Sequence, residues 1–248
     1  MKLGKTMKKL SAMIMAFAMI FSLFGFGGNE ITAKAASNPA KMHSAVIHFS
    51  KYGMTGYWAY VEVDTNSASN KKVYIHHNTY EKGWIDTEAS FYKKADANTE
   101  IWRAYICNTQ GTDFVVKYVG DGVTYWDNNN GNDYHVEDNL LGTSAAVRAL
   151  PLRYISSNTY YVQATLKNLA YNKTVKAVYT NNNWATSNTV NLSYLSSNTA
   201  ANTERWTANI PVTNRDAFQF YITYTVNGQT YVDNNWGSNY DISYYRAY

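Results

Sequence analysis

The sequence predicts an all-β protein: two antiparallel β-sandwiches in tandem behind a signal peptide. Three observations carry that expectation. Apolar–polar alternations of strand length recur along the chain, asparagine, serine and glycine punctuate the connections, and one set of phrases is written twice.

Residues 1–35 read as the signal. Lys2, Lys5, Lys8 and Lys9 precede the apolar run LSAMIMAFAMIFSLFGF, and Ala33-Lys34-Ala35 is an A-x-A cleavage site. An uncleaved membrane anchor is the alternative reading of the same run. The expectation is a secreted, extracellular protein with no membrane association once the signal is removed. This leader holds five of the 22 basic residues and one of the 18 acidic ones, so the remaining chain is neutral, with 17 of each. A neutral chain lacks the basic field that a nucleic-acid partner requires. Cys107 is the single cysteine, which excludes an intrachain disulfide, and its place in WRAYIC predicts a buried thiol.

The duplication sets the domains. Asn98-Thr99-Glu100-Ile101-Trp102 recurs as Asn202-Thr203-Glu204-Arg205-Trp206. KKVYIHHNTYEKGW at 71–84 parallels KTVKAVYTNNNW at 173–184, and YWDNNNGNDY at 125–134 returns as YVDNNWGSNY at 231–240. Two copies are predicted, at 44–138 and 147–248, with NLLGTSAA at 139–146 as a linker.

Each copy is written in strand periodicity. Phe114, Val116 and Tyr118 alternate with Val115 and Lys117, and Phe220, Ile222 and Tyr224 alternate with Tyr221 and Thr223. Trp102, Ala104 and Ile106 are placed inward in the same way, as are Trp206, Ala208 and Ile210, which makes both tryptophans core residues by expectation. No sustained helical period is present.

Chemistry is sparse. From Asp127 or Asp233 the glycine falls at position 5 of the loop rather than 6, which fails the EF-hand pattern, although a structural calcium at such an Asp/Asn turn stays open. One Asp repeated per copy is not the pair of carboxyl groups that glycoside hydrolysis needs. His76 and His77 are strand neighbours on opposite faces and do not converge on one metal ion. No cofactor motif is present. The expectation is therefore no catalytic residue, no metal and no cofactor.

What remains is recognition. Asparagine amides donate and accept, which suits neutral hydroxyl groups, and aromatic rings match the C–H face of a sugar. A ring covering ~60 Å² of apolar surface contributes ~1.5 kcal/mol at ~25 cal/mol per Å². Trp84 and Trp184 close the polar stretches TYEKGW and TNNNW, where an exposed, ligand-facing ring is expected. Asp127 and Asp233 are expected to tie their turns to the backbone.

KNLAYNKTVKAVYTNNNW at 167–184, Trp206, FYITYTVNGQTYVDNNWGSNY at 220–240 and YVGDGVTYWDNNNGNDY at 118–134 resemble the starch- and glycogen-binding carbohydrate-binding modules of family 21. The resemblance is looser before Lys71, where TNSAS stands. It implies an immunoglobulin-like β-sandwich in each copy and non-catalytic binding of α-glucan. One implied surface takes Trp84, Lys117, Trp126 and Asn128 in the first copy and Trp184, Tyr221, Asn234 and Asn239 in the second. A second surface takes Tyr171, Lys173 and Tyr194; the first copy keeps Phe91 and Lys71 but has Ser69 where Tyr171 stands. Val115 and Val232 mark one lost aromatic in each copy. The implied partner is an α-glucan, with an extracellular amylolytic enzyme as a further one. An extracellular structural or adhesive protein is the alternative function class.

Overall fold

A computed structural model describes residues 37–244 except 51, 108–109 and 137–138. The signal reading falls on residues outside these. The first half begins with β1 (Ala40–Ser50) and β2 (Gly53–Asp64), continues through β3 (Lys71–Thr79), β4 (Gly83–Lys94), β5 (Thr99–Cys107), β6 (Gln110–Gly120) and β7 (Val123–Asp127), and closes with β8 (Tyr134–His135) and β9 (Leu140–Leu141). Its strands run in the order β7-β6-β3-β4-β5-β2-β1-β9, with β8 also on β6. The second half contains β10 (Val147–Ser156), β11 (Thr159–Lys167), β12 (Lys173–Thr180), β13 (Asn188–Asn191), β14 (Ser193–Asn198), β15 (Thr203–Pro211), β16 (Gln219–Val226), β17 (Gln229–Asp233) and β18 (Tyr240–Asp241). Here two sheets are separate, β10-β11-β15-β14 and β13-β12-β16-β17, with β18 on β16.

The halves share one pairing plan and differ at one strand. β4 pairs with β3 through residues 83–89 and with β5 through residues 90–94, so it passes continuously between the layers. Its counterpart is interrupted at Leu192 into β13 and β14. The alternation read from the sequence sets the buried faces: Val175 and Ala177 of β12 meet Phe220, Ile222 and Tyr224 of β16, and Val162, Ala164 and Ile210 from the other sheet join the same cluster. Two sheets thus pack face to face in the second half. Val73, Ile75, Phe114, Val116 and Tyr118 occupy the matching places around Ala59 and Ile106 in the first. Among the described residues the only helical turn is the 3-10 turn Asn129–Gly131.

The duplicated loop is held by one carboxylate in each half. Asp127 accepts from Met42 N at 2.7 Å, from Asn129 N at 3.3 Å and from the Tyr134 hydroxyl at 2.9 Å. Asp233 accepts from Ala149 N at 2.5 Å, Asn235 N at 3.3 Å and the Tyr240 hydroxyl at 2.9 Å. Each clasp joins the loop to the first strand of its half. Burial, then the carboxylate, pushes the pKa of Tyr134 up, and burial does the same for Tyr240, so both stay protonated donors. The asparagines are consumed in the same scaffold. Asn128 and Asn234 accept from Gly131 N and Gly237 N, while Asn129 and Asn235 donate to the carbonyls of residues 133 and 239.

The segment 139–146 is packed into the fold. Leu140 and Leu141 pair with β1, Asn139 accepts from Ile47 N at 3.0 Å, and Gly142 N donates to His43 O at 2.7 Å. A Cβ on Gly142 would lie 1.8 Å from the Met42 carbonyl oxygen, so this close approach requires glycine. The halves also dock directly. Arg148 is fully buried, bonded to Asp233 at 3.2 Å and placed 4.8 Å from the Tyr60 ring and 4.3 Å from the Trp236 ring. Trp236 packs on Tyr60, Tyr92 and His43, and Lys93 Nζ donates to Asn235 O and Ser238 Oγ across the junction.

Two expectations from the sequence are corrected. Cys107 is exposed, because it ends β5 opposite Gly56, which offers no side chain to cover it. Trp102 and Trp206 are half-buried, with one edge on the core and the indole nitrogens bonded to Glu100 and Glu204.

Replacing Asp233 by alanine leaves Arg148 buried without its counter-charge, and urea unfolding of the full chain should register a loss of about 3–5 kcal/mol. Asp127→Ala, which strands no buried cation, should cost about 1–3 kcal/mol. Equal losses would refute the asymmetry. His43 supplies a pH test. Burial, then the charges of Arg148 and Lys167, lower its pKa from 6.5 to about 3, so it faces Glu62 as a neutral ring. The unfolded chain takes up this proton first as pH falls. Stability from His43 is therefore complete above pH 6.5 and lost progressively down to about 3. Unfolding near pH 4 should show about 3 kcal/mol of this loss, and His43→Gln should flatten the slope.

Candidate functional site

Three aromatic surfaces stand on this scaffold. The largest is a groove of about 740 Å³ in the second half, lined by Tyr171, Tyr194 and Trp206 with Asn168, Ser197 and Asn202 among its polar walls. Tyr171, on the bend before β12, is 96% exposed and Tyr194 on β14 is 54% exposed. A register shift just after Tyr194 breaks the β14–β15 ladder. The Tyr194 ring meets Trp206 edge-on at 6.2 Å.

Beneath these rings lies an ion pair. Lys173 Nζ sits 2.8 Å from Glu204 Oε1 and also reaches Asn168 Oδ1, and Glu204 Oε2 accepts from Trp206 Nε1 at 2.8 Å. The Lys173 side chain is only 2% exposed. The resemblance implied a ligand contact for Lys173; it lines the groove, with its Nζ engaged by Glu204 and Asn168. The same unit recurs in the first half as Lys71, Glu100 and Trp102, with Phe91 edge-on to Trp102 at 6.1 Å and half-exposed. Ser69 donates its backbone N–H to Asp121 and leaves this face without a second ring.

A second platform forms in the first half. Trp84 opens β4, Trp126 lies on β7, and His76 of β3 stands between them, stacked on Trp84 at 5.2 Å and edge-on to Trp126 at 5.2 Å. Asn128 and Asp133 complete a depression of about 360 Å³. Lys117 lies 5.5 Å from the Trp126 ring but binds Asp86 at 2.6 Å, and Asp86 also pairs with His76 Nδ1 at 2.7 Å. Burial opposes ionisation of Asp86, yet bonds from Lys117 and His76 hold its carboxyl below the usual range. Burial, then the charge of Asp113, raises Asp133.

The corresponding surface of the second half carries no ionised group at these places. Val178, Thr189, Thr223 and Asn239 stand where the first half has His76, Asp86, Lys117 and Asp133. Trp184 follows β12 with φ +68°, its amide donating to Thr180 Oγ1 and its indole to Gln219 Oε1 at 2.7 Å. Tyr221 lies 5.6 Å from Trp184, and Asn239 reaches the same Gln219 oxygen at 3.4 Å. Trp184 is half-buried rather than exposed, because Gln219 anchors its indole edge. Asn234 lines the crevice between the halves with Trp236.

The matched segment can now be located. Residues 152–243 match the model of the carbohydrate/starch-binding module, family 21. That span contains the large groove and the Trp184–Tyr221 pair. Glucoamylase 1 of Rhizopus oryzae is 36% identical over 106 residues, covering 42% of this chain and 17% of that protein. This chain therefore spans under a fifth of that relative's length. A solved structure of the starch binding domain of Rhizopus oryzae glucoamylase, in complex with β-cyclodextrin and maltoheptaose, aligns with 40% of this chain and 93% of its own at 32% identity and a TM-score of 0.35.

His76, Gln219, Glu204 and the groove-facing edge of Trp206 were not among the residues expected from the sequence. Alternation alone places His76 outward, since Ile75 and His77 are buried. The partners of Gln219 and Glu204 depend on register.

Lys173→Ala should lower the unfolding free energy by about 3 kcal/mol or more, since it leaves Glu204 without its cation in a covered place. Tyr171→Ala should leave the melting temperature unchanged. A Lys173→Ala protein as stable as its parent would show that the lysine is free in solution.

Proposed function

We propose that this protein is a secreted, non-catalytic α-glucan-binding protein, built from two tandem immunoglobulin-like modules of the family 21 type. The observation that carries the reading is the groove of Tyr171, Tyr194 and Trp206 inside the segment that matches the starch-binding module. Exposed rings at the rim and amides along the wall suit a ligand with C–H faces and a hydroxyl edge. The shared pairing plan and the repeated Lys–Glu–Trp unit support extending the reading to the first half. Each platform offers two or three rings, which supports weak to moderate affinity per site. The α-glucan would be starch, glycogen or a malto-oligosaccharide, and a separate amylolytic enzyme is the natural companion of such a protein.

Native gel migration in soluble starch should be retarded for the full chain, with no increase in reducing ends on prolonged incubation. Tyr194→Ala and Trp184→Ala should each weaken binding by about 1–2 kcal/mol. Trp84→Ala and Trp126→Ala should weaken it less, since the remaining platforms lie within the second half. Migration indifferent to every α-glucan would favour a structural or adhesive role, and sugar release surviving repurification would make the protein an enzyme.

A further inference from the structure

The first-half platform and the second-half groove each border a third depression. Between them lies a cleft of about 270 Å³ formed by both halves. The first half contributes the loop residues Asn129 and Asn132 with Leu140 of β9; the second contributes the β14–β15 turn through Asn198, Ala200 and Ala201. Two residues link the three spaces. Asp133 lines both the His76–Trp84–Trp126 platform and this cleft. Asn198 lines both this cleft and the Tyr171–Tyr194–Trp206 groove.

The walls of the cleft also suit the same ligand. Leu140, Ala200 and Ala201 give a small apolar surface, and Asp133 and His135 stand beside it. The asparagines keep part of their capacity: Asn129 and Asn132 donate within their loop and Asn198 accepts from Ala201 N, which leaves the Asn129 and Asn132 side-chain oxygens and the Asn198 amide group for a hydroxyl. Nothing large projects from the alanine turn, and both alanines are exposed. The opposite wall is fixed, because Asn129 donates to Asp133 O and Asn139 accepts from Ile47 N. Docking of the halves through Arg148 and Trp236 holds the two walls in register.

Building on the α-glucan reading, we propose that the cleft is a further carbohydrate site, which joins the first platform to the second-half groove into one track for a single long linear α-glucan chain. A short or cyclic ligand fills one platform at a time. A long chain leaves the groove past Asn198, crosses the alanine turn and reaches the tryptophans past Asp133. Affinity then rises with chain length because the second contact is intramolecular.

Calorimetry of the full chain with β-cyclodextrin and with a long linear maltodextrin tests this. The expected result is more than one β-cyclodextrin per protein, against one maltodextrin chain bound roughly tenfold or more tightly. Ala201→Arg and, from the opposite wall, Asn132→Arg should abolish that excess and leave β-cyclodextrin binding in place, whereas Ala201→Ser should keep both. The ratio of the two affinities decides. A ratio unchanged in both arginine variants overturns the track while the glucan reading stands, and so does a parent protein that binds both ligands alike. Failure of the parent protein to bind either ligand overturns the glucan reading and the track with it.

Discussion

The loop carboxylates hold the two duplicated loops to their sheets and, through Asp233, the junction between the halves. A carboxylate buried against a sheet must be satisfied by donors or a cation, or its desolvation cost is uncompensated. Asp127 and Asp233 solve this alike, each gathering a strand amide, a loop amide and a tyrosine hydroxyl. Asp233 is the more deeply buried and adds Arg148. That one extra partner turns a clasp within one half into a bond that also fixes the junction, because the guanidinium lies beside Tyr60 of the first half and Trp236 of the second.

The repeated loop is thereby a common frame with different side chains mounted on it. Asn130 and Trp236 occupy equivalent tips, with φ +57° and +52°. Asparagine tolerates the left-handed region, whereas a tryptophan there is costly. Packing on His43, Tyr60 and Tyr92 offsets that cost, so the strained ring serves the junction. Trp184 shows the same trade at φ +68°, where contacts with Thr180 and Gln219 turn its ring toward Tyr221. In both places an unfavourable backbone conformation aims an aromatic that a regular strand would point elsewhere.

The strands and their faces were legible from the sequence because alternation is a local signal. Val175, Ala177, Phe220, Ile222 and Tyr224 lie where the period puts them. The second platform was legible as far as Trp84, Trp126 and Asn128. What alternation does not contain is what covers a given face. The resemblance sets Lys173 of β12 against a ligand, and Glu204 of β15 on the other sheet lies within reach and pairs with it in the groove wall. Trp206 reads as core by period, yet only one edge is covered, since β14 ends the sheet beside it. The asparagine run reads as a set of sugar-facing amides, yet left-handed turns need most of those amides for their own backbone. Long-range register decides each of these cases.

A flexible linker would make the two halves independent binders whose cooperation depends on chain statistics. The packing of β9 on β1, the close approach of Gly142 to Met42 and the Arg148 junction remove that freedom. Rigidity cuts both ways. It avoids the ordering cost of bringing two sites onto one ligand, but it rewards only a ligand whose path matches the fixed geometry. A docked pair of modules is therefore selective for ligand shape in a way that two tethered modules are not. The duplication is unequal at this carboxylate: Asp127 closes its own loop, and Asp233 closes its loop and, through Arg148, the junction between the halves.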